Sequence, residues 1–85
     1  MWLAKIVVTY KRGILNPEAK TIQHALETLG YQDIDGLESG KYFEVRLKAG
    51  LKQTQAEQAV REICDRVLSN PVIQQYTFEL EEADL

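Results

Sequence analysis

The side chains best suited to catalysis are scarce in this sequence, which has one cysteine, Cys64, and one histidine, His24. One thiolate and one imidazole cannot supply the four ligands of a closed structural zinc site. Cys64 lies among Val60, Ile63 and Val67, which predicts a small buried hydrophobe rather than a nucleophile. His24 borders a helical apolar stripe, with no cysteine or serine nucleophile nearby in sequence. We interpret it as a surface or boundary residue.

Two segments carry residues that could meet an anion. Ser39-Gly40-Lys41 superficially suggests phosphate binding, but it leads into a predicted strand, whereas a phosphate loop sits at a helix N-terminus. A hairpin turn is therefore the favoured interpretation. Lys11, Arg12 and Lys20 are close in sequence and could form a basic spot for an anionic partner surface. A solvated turn is the alternative for these three side chains.

Composition restricts the class of protein. Hydrophobic residues make up 45% and charged residues 27% of the 85 residues, which is typical of a globular domain. The net charge of -3 would repel nucleic-acid phosphates on average. No run approaches the roughly 20 apolar residues of a membrane span, and Met1 to Arg12 lacks the organisation of a secretory signal. We expect one cytoplasmic domain over residues 1–85, and its small core favours oligomerisation.

Hydrophobic periodicity and capping signals predict the elements of the fold. Asn16 caps the first helix and Gly30 ends it in a left-handed conformation, while Thr54 and Glu57 form a capping-box pattern for the second helix. The predicted elements are a strand from Leu3 to Tyr10, a helix from about Pro17 to Leu29, a short or bulged strand within Tyr31 to Ser39, a clear strand from Lys41 to Ala49, a helix from about Gln55 to Leu68 and a last strand from Val72 to Glu81 with an acidic tail.

This order predicts an α+β fold, a two-layer sandwich of the ferredoxin-like βα(ββ)αβ kind. Two helices would cover one face of a mainly antiparallel sheet of three or four strands. The other face would carry Leu3, Val7 and Tyr42 and would be open to a partner. Trp2 and Tyr42 are interface anchors or, equally, core residues.

Four segments stand in a distinctive order and spacing along the chain: Lys11-Arg12-Gly13-Ile14-Leu15-Asn16-Pro17-Glu18, Ala25-Leu26-Glu27-Thr28-Leu29-Gly30-Tyr31, Ser39-Gly40-Lys41-Tyr42-Phe43-Glu44-Val45 and Leu68-Ser69-Asn70-Pro71-Val72-Ile73. Each segment is common by itself. Together they resemble the PurS family, the small subunit of phosphoribosylformylglycinamidine (FGAM) synthase. The resemblance covers nearly the whole chain.

The resemblance implies a non-catalytic subunit that bridges an ATP-dependent synthetase subunit and a glutaminase subunit in purine biosynthesis. In that family's reaction, glutamine hydrolysis yields ammonia, and formylglycinamide ribonucleotide (FGAR) and ATP are converted into FGAM, with glutamate, ADP and phosphate. This chain would support ammonia transfer and would pair with itself as a homodimer, with tetramers left open. The resemblance places ATP and magnesium in the synthetase subunit, and it implies no catalytic, cofactor or metal site in this chain.

Residues for the contacts with partner subunits are predicted from turns that need a defined backbone shape. They are Lys11, Arg12, Gly13, Gly40, Lys41, Tyr42, Asn70 and Pro71.

The alternative function is a regulatory module that binds a small molecule, such as an amino acid, at a dimer interface. An acylphosphatase-like enzyme would need a phosphate-cradling arginine loop, which Arg12-Gly13 only faintly resembles. An RNA-recognition module would need paired aromatic side chains and a basic face, whereas Tyr42 and Phe43 lie on opposite faces of a predicted strand in an acidic chain.

Overall fold

The computed structural model describes residues 1–82 of the chain. In chain order the elements are β1 (Trp2–Tyr10), α1 (Pro17–Thr28), β2 (Gly40–Arg46), α2 (Gln53–Ile63), a π-helical turn (Cys64–Leu68) and β3 (Gln74–Glu82). They form one antiparallel sheet in the order β2-β1-β3. The α+β class is confirmed, and the strand count within residues 1–82 is three. The end of the predicted acidic tail, with Asp84, lies outside the described residues.

The core lies on one face of the central strand β1. Ile6 pairs with Phe43 of β2 and with Phe78 of β3, so three large side chains project in one row towards the helical layer. Ala4, Ile6 and Val8 pack with α2 and its π-helical continuation, where Cys64 is fully buried, as predicted. Desolvation raises the pKa of the Cys64 thiol, with Asp65 adding a smaller repulsive effect.

Both predicted ends of α1 are confirmed. The Asn16 Oδ1 atom accepts a hydrogen bond from the Ala19 N–H at 3.2 Å, which satisfies one of the free donors at the helix start. At the other end, Gly30 has a φ of 97° and donates to the Glu27 carbonyl, while the Tyr31 N–H donates to the Leu26 carbonyl. This paired arrangement is the Schellman motif, which favours glycine at the left-handed position.

The strand predicted within Tyr31 to Ser39 is wrong, because the residues between α1 and β2 form no strand. The segment instead returns beside the start of α1. The Asn16 Nδ2 atom donates to both the carbonyl oxygen and the Oγ atom of Ser39, at 3.2 and 3.1 Å. Two apolar residues, Ile34 and Leu37, are half-buried, too few to support an additional strand against the sheet.

Helix α2 begins earlier than predicted and does not use the Thr54–Glu57 capping box. The Gln55 Oε1 atom accepts from the Lys52 N–H at 2.9 Å, so the chain turns into the helix before Thr54 and leaves that residue inside the first turn. At the far end, the Ser69 N–H donates to the Cys64 carbonyl, at 3.0 Å. A hydrogen bond spanning five residues widens the last turn into a π-helix. Within residues 1–82, neither helix is long and apolar enough to cross a membrane.

Candidate functional site

The three turns predicted to contact partners meet at one end of the sheet. In the antiparallel order, β1 ends at Tyr10 where β2 begins at Gly40 and β3 begins at Gln74. The Lys11 N–H donates to the Ile73 carbonyl at 2.9 Å, which joins the turn after β1 to the turn before β3. We call this region the basic end; it contains Lys11, Arg12, Gly13, Lys20, Gly40, Lys41, Asn70 and Pro71.

The turn after β1 holds the two cationic side chains Lys11 and Arg12 in exposed positions. The Ile14 N–H donates to the Lys11 carbonyl at 3.1 Å, closing a tight turn. Gly13 has a φ of 84°, a left-handed conformation that side-chain-bearing residues seldom adopt. The sequence therefore fixes the backbone that presents Lys11 and Arg12, while their charged ends stay in solvent.

The turn before β3 is stabilised by its own side chains. The Asn70 Oδ1 atom accepts from the Val72 N–H at 3.1 Å, and the Gln74 Oε1 atom accepts from the Asn70 N–H at 2.8 Å. The Asn70 carbonyl also accepts from the N–H groups of Ile73 and Gln74. Asparagine commonly closes a turn in this way. The shape predicted for Asn70-Pro71 thus has a clear origin in local hydrogen bonding.

Gly40 is required by close packing between β2 and β1. A Cβ atom at this position would collide with the Val8 carbonyl oxygen and press on the Thr9 side chain. Lys41 follows, paired with Val8 and exposed at the rim of the sheet. Ser39-Gly40-Lys41 leads directly into β2 and not into a helix, which agrees with the rejection of a phosphate loop. The hairpin turn favoured from the sequence is wrong, because no strand precedes this segment within residues 31–39.

Two shallow cavities border the start of α1 at the basic end. One has a volume of about 260 Å³ and is lined by all three cations of the predicted basic spot, Lys11, Arg12 and Lys20, together with Glu38. The other, of about 320 Å³, is lined by residues that include Gly40, Lys41 and Gln74. Asn16 and Ser39 line both cavities. The structure therefore brings Lys41 to the same end of the sheet as Lys11, Arg12 and Lys20, from which it is distant in sequence.

Tyr42 lies apart from the basic end. It pairs with Val7 on the sheet face opposite α2 and is 56% exposed, so it does not serve the core. The same face carries an ion pair between Lys5 and Glu81 at 2.9 Å, whose hydrogen bond and attraction raise the pKa of Lys5. The open face predicted from the sequence is thus mostly polar, with an exposed apolar spot at Val7 and Tyr42. Leu3, which was predicted to be open on the same face, is buried.

Trp2 is half-buried and its Nε1–H donates to the Leu51 carbonyl at 3.0 Å. This contact joins β1 to the loop before α2, at the opposite end of the sheet from the basic end.

His24 is exposed on α1, as predicted. Over residues 1–82, no group of three or more His, Cys, Asp and Glu side chains is arranged to hold a metal ion.

Local sequence does not reveal the residues that attach α1 to the basic end. The sequence predicts only a helix cap at Asn16, yet its amide group also binds Ser39. Glu38 and Leu37 line the same cavity as Lys11 and Arg12. An asparagine before proline signals a cap, but its second partner, 23 positions away, could not be found from local sequence. Only the tertiary structure shows this contact.

The sheet order and the helices define a small α+β domain of ferredoxin-like type. The family model described as PurS, phosphoribosylformylglycinamidine (FGAM) synthase, matches residues 3–82. A relative from Methanocaldococcus jannaschii, named phosphoribosylformylglycinamidine synthase subunit PurS, is 32% identical over 84 residues, which are 99% of this chain and 100% of that protein. The chain therefore belongs to the PurS family, as the sequence motifs predicted.

Solved structures of family members have the same architecture. The crystal structure of M. jannaschii PurS, described as one of the subunits of formylglycinamide ribonucleotide amidotransferase, has a TM-score of 0.86 and 31% identity, covering 99% of this chain and 100% of that one. The structure of Bacillus subtilis PurS also has a TM-score of 0.86, with 32% identity and coverage of 96% and 100%. These matches do not favour the alternative of an amino-acid-binding regulatory module.

Proposed function

We propose that this chain is the small subunit of FGAM synthase and that it acts by assembly. The observation that carries the proposal is the full-length match to a protein named as the PurS subunit of that enzyme. In the proposed complex, a glutaminase subunit releases ammonia and an ATP-dependent synthetase subunit uses it to convert FGAR into FGAM. ATP and magnesium would be bound by the synthetase subunit, in the cytoplasm.

The basic end is the proposed contact with a larger subunit. Its cations Lys11, Arg12 and Lys41 are exposed, although the chain as a whole has a net charge of -3. Such a local reversal of charge attracts an acidic surface and orients it during association. The turns that carry the cations are fixed by hydrogen bonds and by Gly13 and Gly40, so little backbone entropy is lost on binding.

Bridging gives a physical reason for the small subunit to support ammonia transfer. Ammonia released into solvent is diluted and protonated, whereas subunits held together can pass it on directly. In this proposal the chain holds glutaminase and synthetase in register, and it pairs with itself to present two equivalent sets of contacts. Tyr42, exposed on the outer sheet face, offers an aromatic anchor for a second contact.

The bridging role is tested by mixing the purified chain with the synthetase and glutaminase subunits and measuring complex mass by size-exclusion chromatography with light scattering. We expect all three proteins to co-elute only when this chain is present. The double variant Arg12→Glu/Lys41→Glu should weaken co-elution, whereas the control Lys48→Glu, also exposed but after the opposite end of β2, should not. Co-elution of the two larger subunits without this chain would overturn the bridging role.

A further inference from the structure

Strand β3 forms one edge of the sheet, because the strand order is β2-β1-β3. Its pairing with β1 runs without interruption from Gln74 to Glu82. Proline residues, bulges and short length are the usual features that keep an edge strand from pairing with a further strand. None of the three occurs in residues 74–82, which form a nine-residue strand. The outer side of β3 is therefore suited to accept another strand.

The hydrogen-bond pattern shows which main-chain groups of β3 face this edge. In an antiparallel pair, every second residue exchanges hydrogen bonds with the neighbouring strand, and the residues between them point away from it. The Lys11 N–H donates to the Ile73 carbonyl at 2.9 Å, in the same register as the pairs between β1 and β3. Alternation from this bond directs residues 75, 77, 79 and 81 to β1. The main-chain groups of Tyr76, Phe78 and Leu80 therefore point to the open edge.

A groove of about 560 Å³ runs between β3 and α2. Its lining residues are spaced by four along the helix and by two along the strand, so they form two facing rows: Gln53, Glu57 and Arg61, and Tyr76, Phe78 and Leu80. The three strand side chains are only half-buried. They belong to the residues whose main-chain groups face the edge. One extended polypeptide could therefore bond to the edge and fill the groove at the same time.

Two aromatic rings form the floor of this groove. The ring centres of Tyr76 and Phe78 lie 6.4 Å apart, with their planes inclined by 21°. The Arg61 guanidinium carbon lies 5.5 Å from the centre of the Phe78 ring, which gives the helix side of the groove a cation-π contact. Side chains on one face of a strand repeat every 6.8 Å or so. An added strand would thus place successive side chains of one face over the two rings.

The charges along β3 indicate the chemistry of the segment that it accepts. The nine residues of β3 include three glutamates and no lysine or arginine. Within residues 1–82, Glu81 forms an ion pair with Lys5 at 2.9 Å, whereas Glu79 and Glu82 form none. In the groove, a glutamate one turn earlier in α2 balances the charge of Arg61. The edge therefore carries uncompensated negative charge, which repels an acidic strand and attracts a basic one.

We propose that the edge of β3 binds an extended segment of a partner protein as an additional antiparallel strand. In this segment, apolar side chains that enter the groove alternate with lysine or arginine side chains on the outer face of the sheet. Hydrogen bonds to Tyr76, Phe78 and Leu80 supply affinity, and the aromatic floor selects the apolar side chains. The inference does not depend on the enzyme that the chain serves, and its residues are separate from those of the basic end.

The other edge of the sheet lacks this combination. The Trp2 carbonyl accepts from the Leu47 N–H at 2.9 Å, in the register of β1 with β2. Alternation from this bond directs the edge-facing main-chain groups of β2 to Tyr42, Glu44 and Arg46. Their side chains lie on the sheet face opposite α2, so no helix forms a groove beside them. The β3 edge is therefore the better site for strand addition.

A basic partner segment is favoured over a second copy of this chain. A second copy carries glutamates at the same positions of β3, so pairing the two β3 edges would bring together charges of the same sign. A segment that alternates apolar and basic side chains neutralises Glu79 and fills the groove in one arrangement. The two occupants differ in their effect on the mass of the isolated chain, which the second test below measures.

The first test uses NMR to titrate the isotope-labelled chain with a capped heptapeptide that alternates lysine and valine. We expect saturable shifts centred on amides 76, 78 and 80. In one control peptide glutamate replaces lysine, and in another the valine nitrogens are methylated, which removes the donors that would pair with the edge. Both controls should bind at least about tenfold more weakly. Absence of saturable shifts with the lysine peptide, or equal binding of all three peptides, would overturn the proposal.

The second test uses two variants of the chain at one edge-facing position. Leu80→Pro removes an N–H that points away from β1, a change that an edge strand tolerates, whereas Leu80→Ala keeps this N–H and also loses the leucine side chain. Thermal unfolding should show that both variants fold. We expect Leu80→Pro to bind the lysine peptide at least about tenfold more weakly than Leu80→Ala. Equal binding by the two variants would reject strand addition.

Light scattering of the same variants separates a partner segment from a second copy. We expect the wild type, Leu80→Pro and Leu80→Ala to have the same mass, because the edge is not used for self-pairing in this proposal. A lower mass of Leu80→Pro alone would show that a second copy pairs with β3 and would overturn the proposal. All of these measurements use the chain alone, so their failure is distinguishable from failure to join the synthase subunits.

Discussion

The two helices have similar lengths, 12 residues in α1 and 11 in α2, but opposite relationships to the core. Helix α2 buries Ala56 and Val60 completely and continues into buried Cys64, whereas the one buried residue of α1 is Ala19, near its start. Both have an apolar stripe at helical spacing. An apolar stripe therefore predicts that a helix is amphipathic. It does not predict which surface the stripe packs against.

The largest expected difference in the free energy of unfolding is between side-chain truncations in α2 and at the end of α1. Val60→Ala removes buried methyl groups and leaves a cavity against Ile6 and Val8, which should lower the free energy of unfolding by about 2–3 kcal/mol. Leu29→Ala, measured at low chain concentration, should change it by less than about 0.5 kcal/mol. Urea denaturation followed by circular dichroism measures both values. Equal losses at low concentration would show that α1 belongs to the core of its own chain.

The next largest difference in stability is expected between alanine substitutions at two glycines, Gly40 and Gly36. Gly40→Ala forces a Cβ atom against the Val8 carbonyl oxygen, and relief requires β2 to shift, at a cost of about 1–3 kcal/mol. Gly36→Ala, in the segment beside α1, meets no atom within 4 Å and should be neutral within about 0.5 kcal/mol. Thermal unfolding of the two variants provides the comparison. A neutral Gly40→Ala would contradict the close approach of β2 and β1.

Two variants of Asn16 distinguish its role as the N-terminal cap of α1 from its role in attaching α1 to Ser39. Asn16→Ala removes both functions and should destabilise the chain by about 1 kcal/mol. Asn16→Asp keeps the oxygen that accepts from the Ala19 N–H but loses the amide that donates to Ser39. Circular dichroism should therefore show full helix content in Asn16→Asp, while the NMR order parameters of the backbone at residues 37 to 39 fall. Unchanged order parameters would argue against the attachment.

The smallest expected effect concerns the ion pair on the outer face. The Glu81 carboxylate raises the pKa of Lys5, so the pair stabilises the fold below the ordinary lysine pKa, and this contribution is lost as pH rises through the raised value. Lys5→Met should cause a small loss of stability at neutral pH, because exposed pairs are screened by water. The loss should disappear in strongly alkaline solution. A difference that persists there would point to packing of the lysine stem instead.

Local signals in the sequence predicted much of the fold. Asn16, Pro17 and Gly30 correctly marked the ends of α1, and alternation correctly placed β1 and most of β2 and β3, because caps and pleats depend on neighbouring residues. The strand predicted within 31–39 failed for the opposite reason. Its few apolar residues fit either a strand or an irregular segment, and the Asn16–Ser39 contact across 23 positions decided between them.

The candidate site was predicted in part. The turns at Lys11 to Gly13, at Gly40 and Lys41, and at Asn70 and Pro71 do meet at one sheet end, although their role in binding partners stays a prediction. Their convergence follows from strand order, which local sequence does not determine. Tyr42 was grouped with them by sequence proximity, but its place in β2 directs it to the outer face. The motifs predicted the family correctly because they are turn and cap sequences that span nearly the whole chain.

The most direct test of the central claim, that this chain makes FGAM synthase work by assembling it, is an activity assay with the purified synthetase and glutaminase subunits. FGAM formation is measured with glutamine as the nitrogen source and, separately, with a high concentration of added ammonia. We predict that omitting this chain abolishes the glutamine-dependent reaction and leaves the ammonia-dependent one largely intact. Glutamine-dependent synthesis at the full rate without the chain would contradict the account.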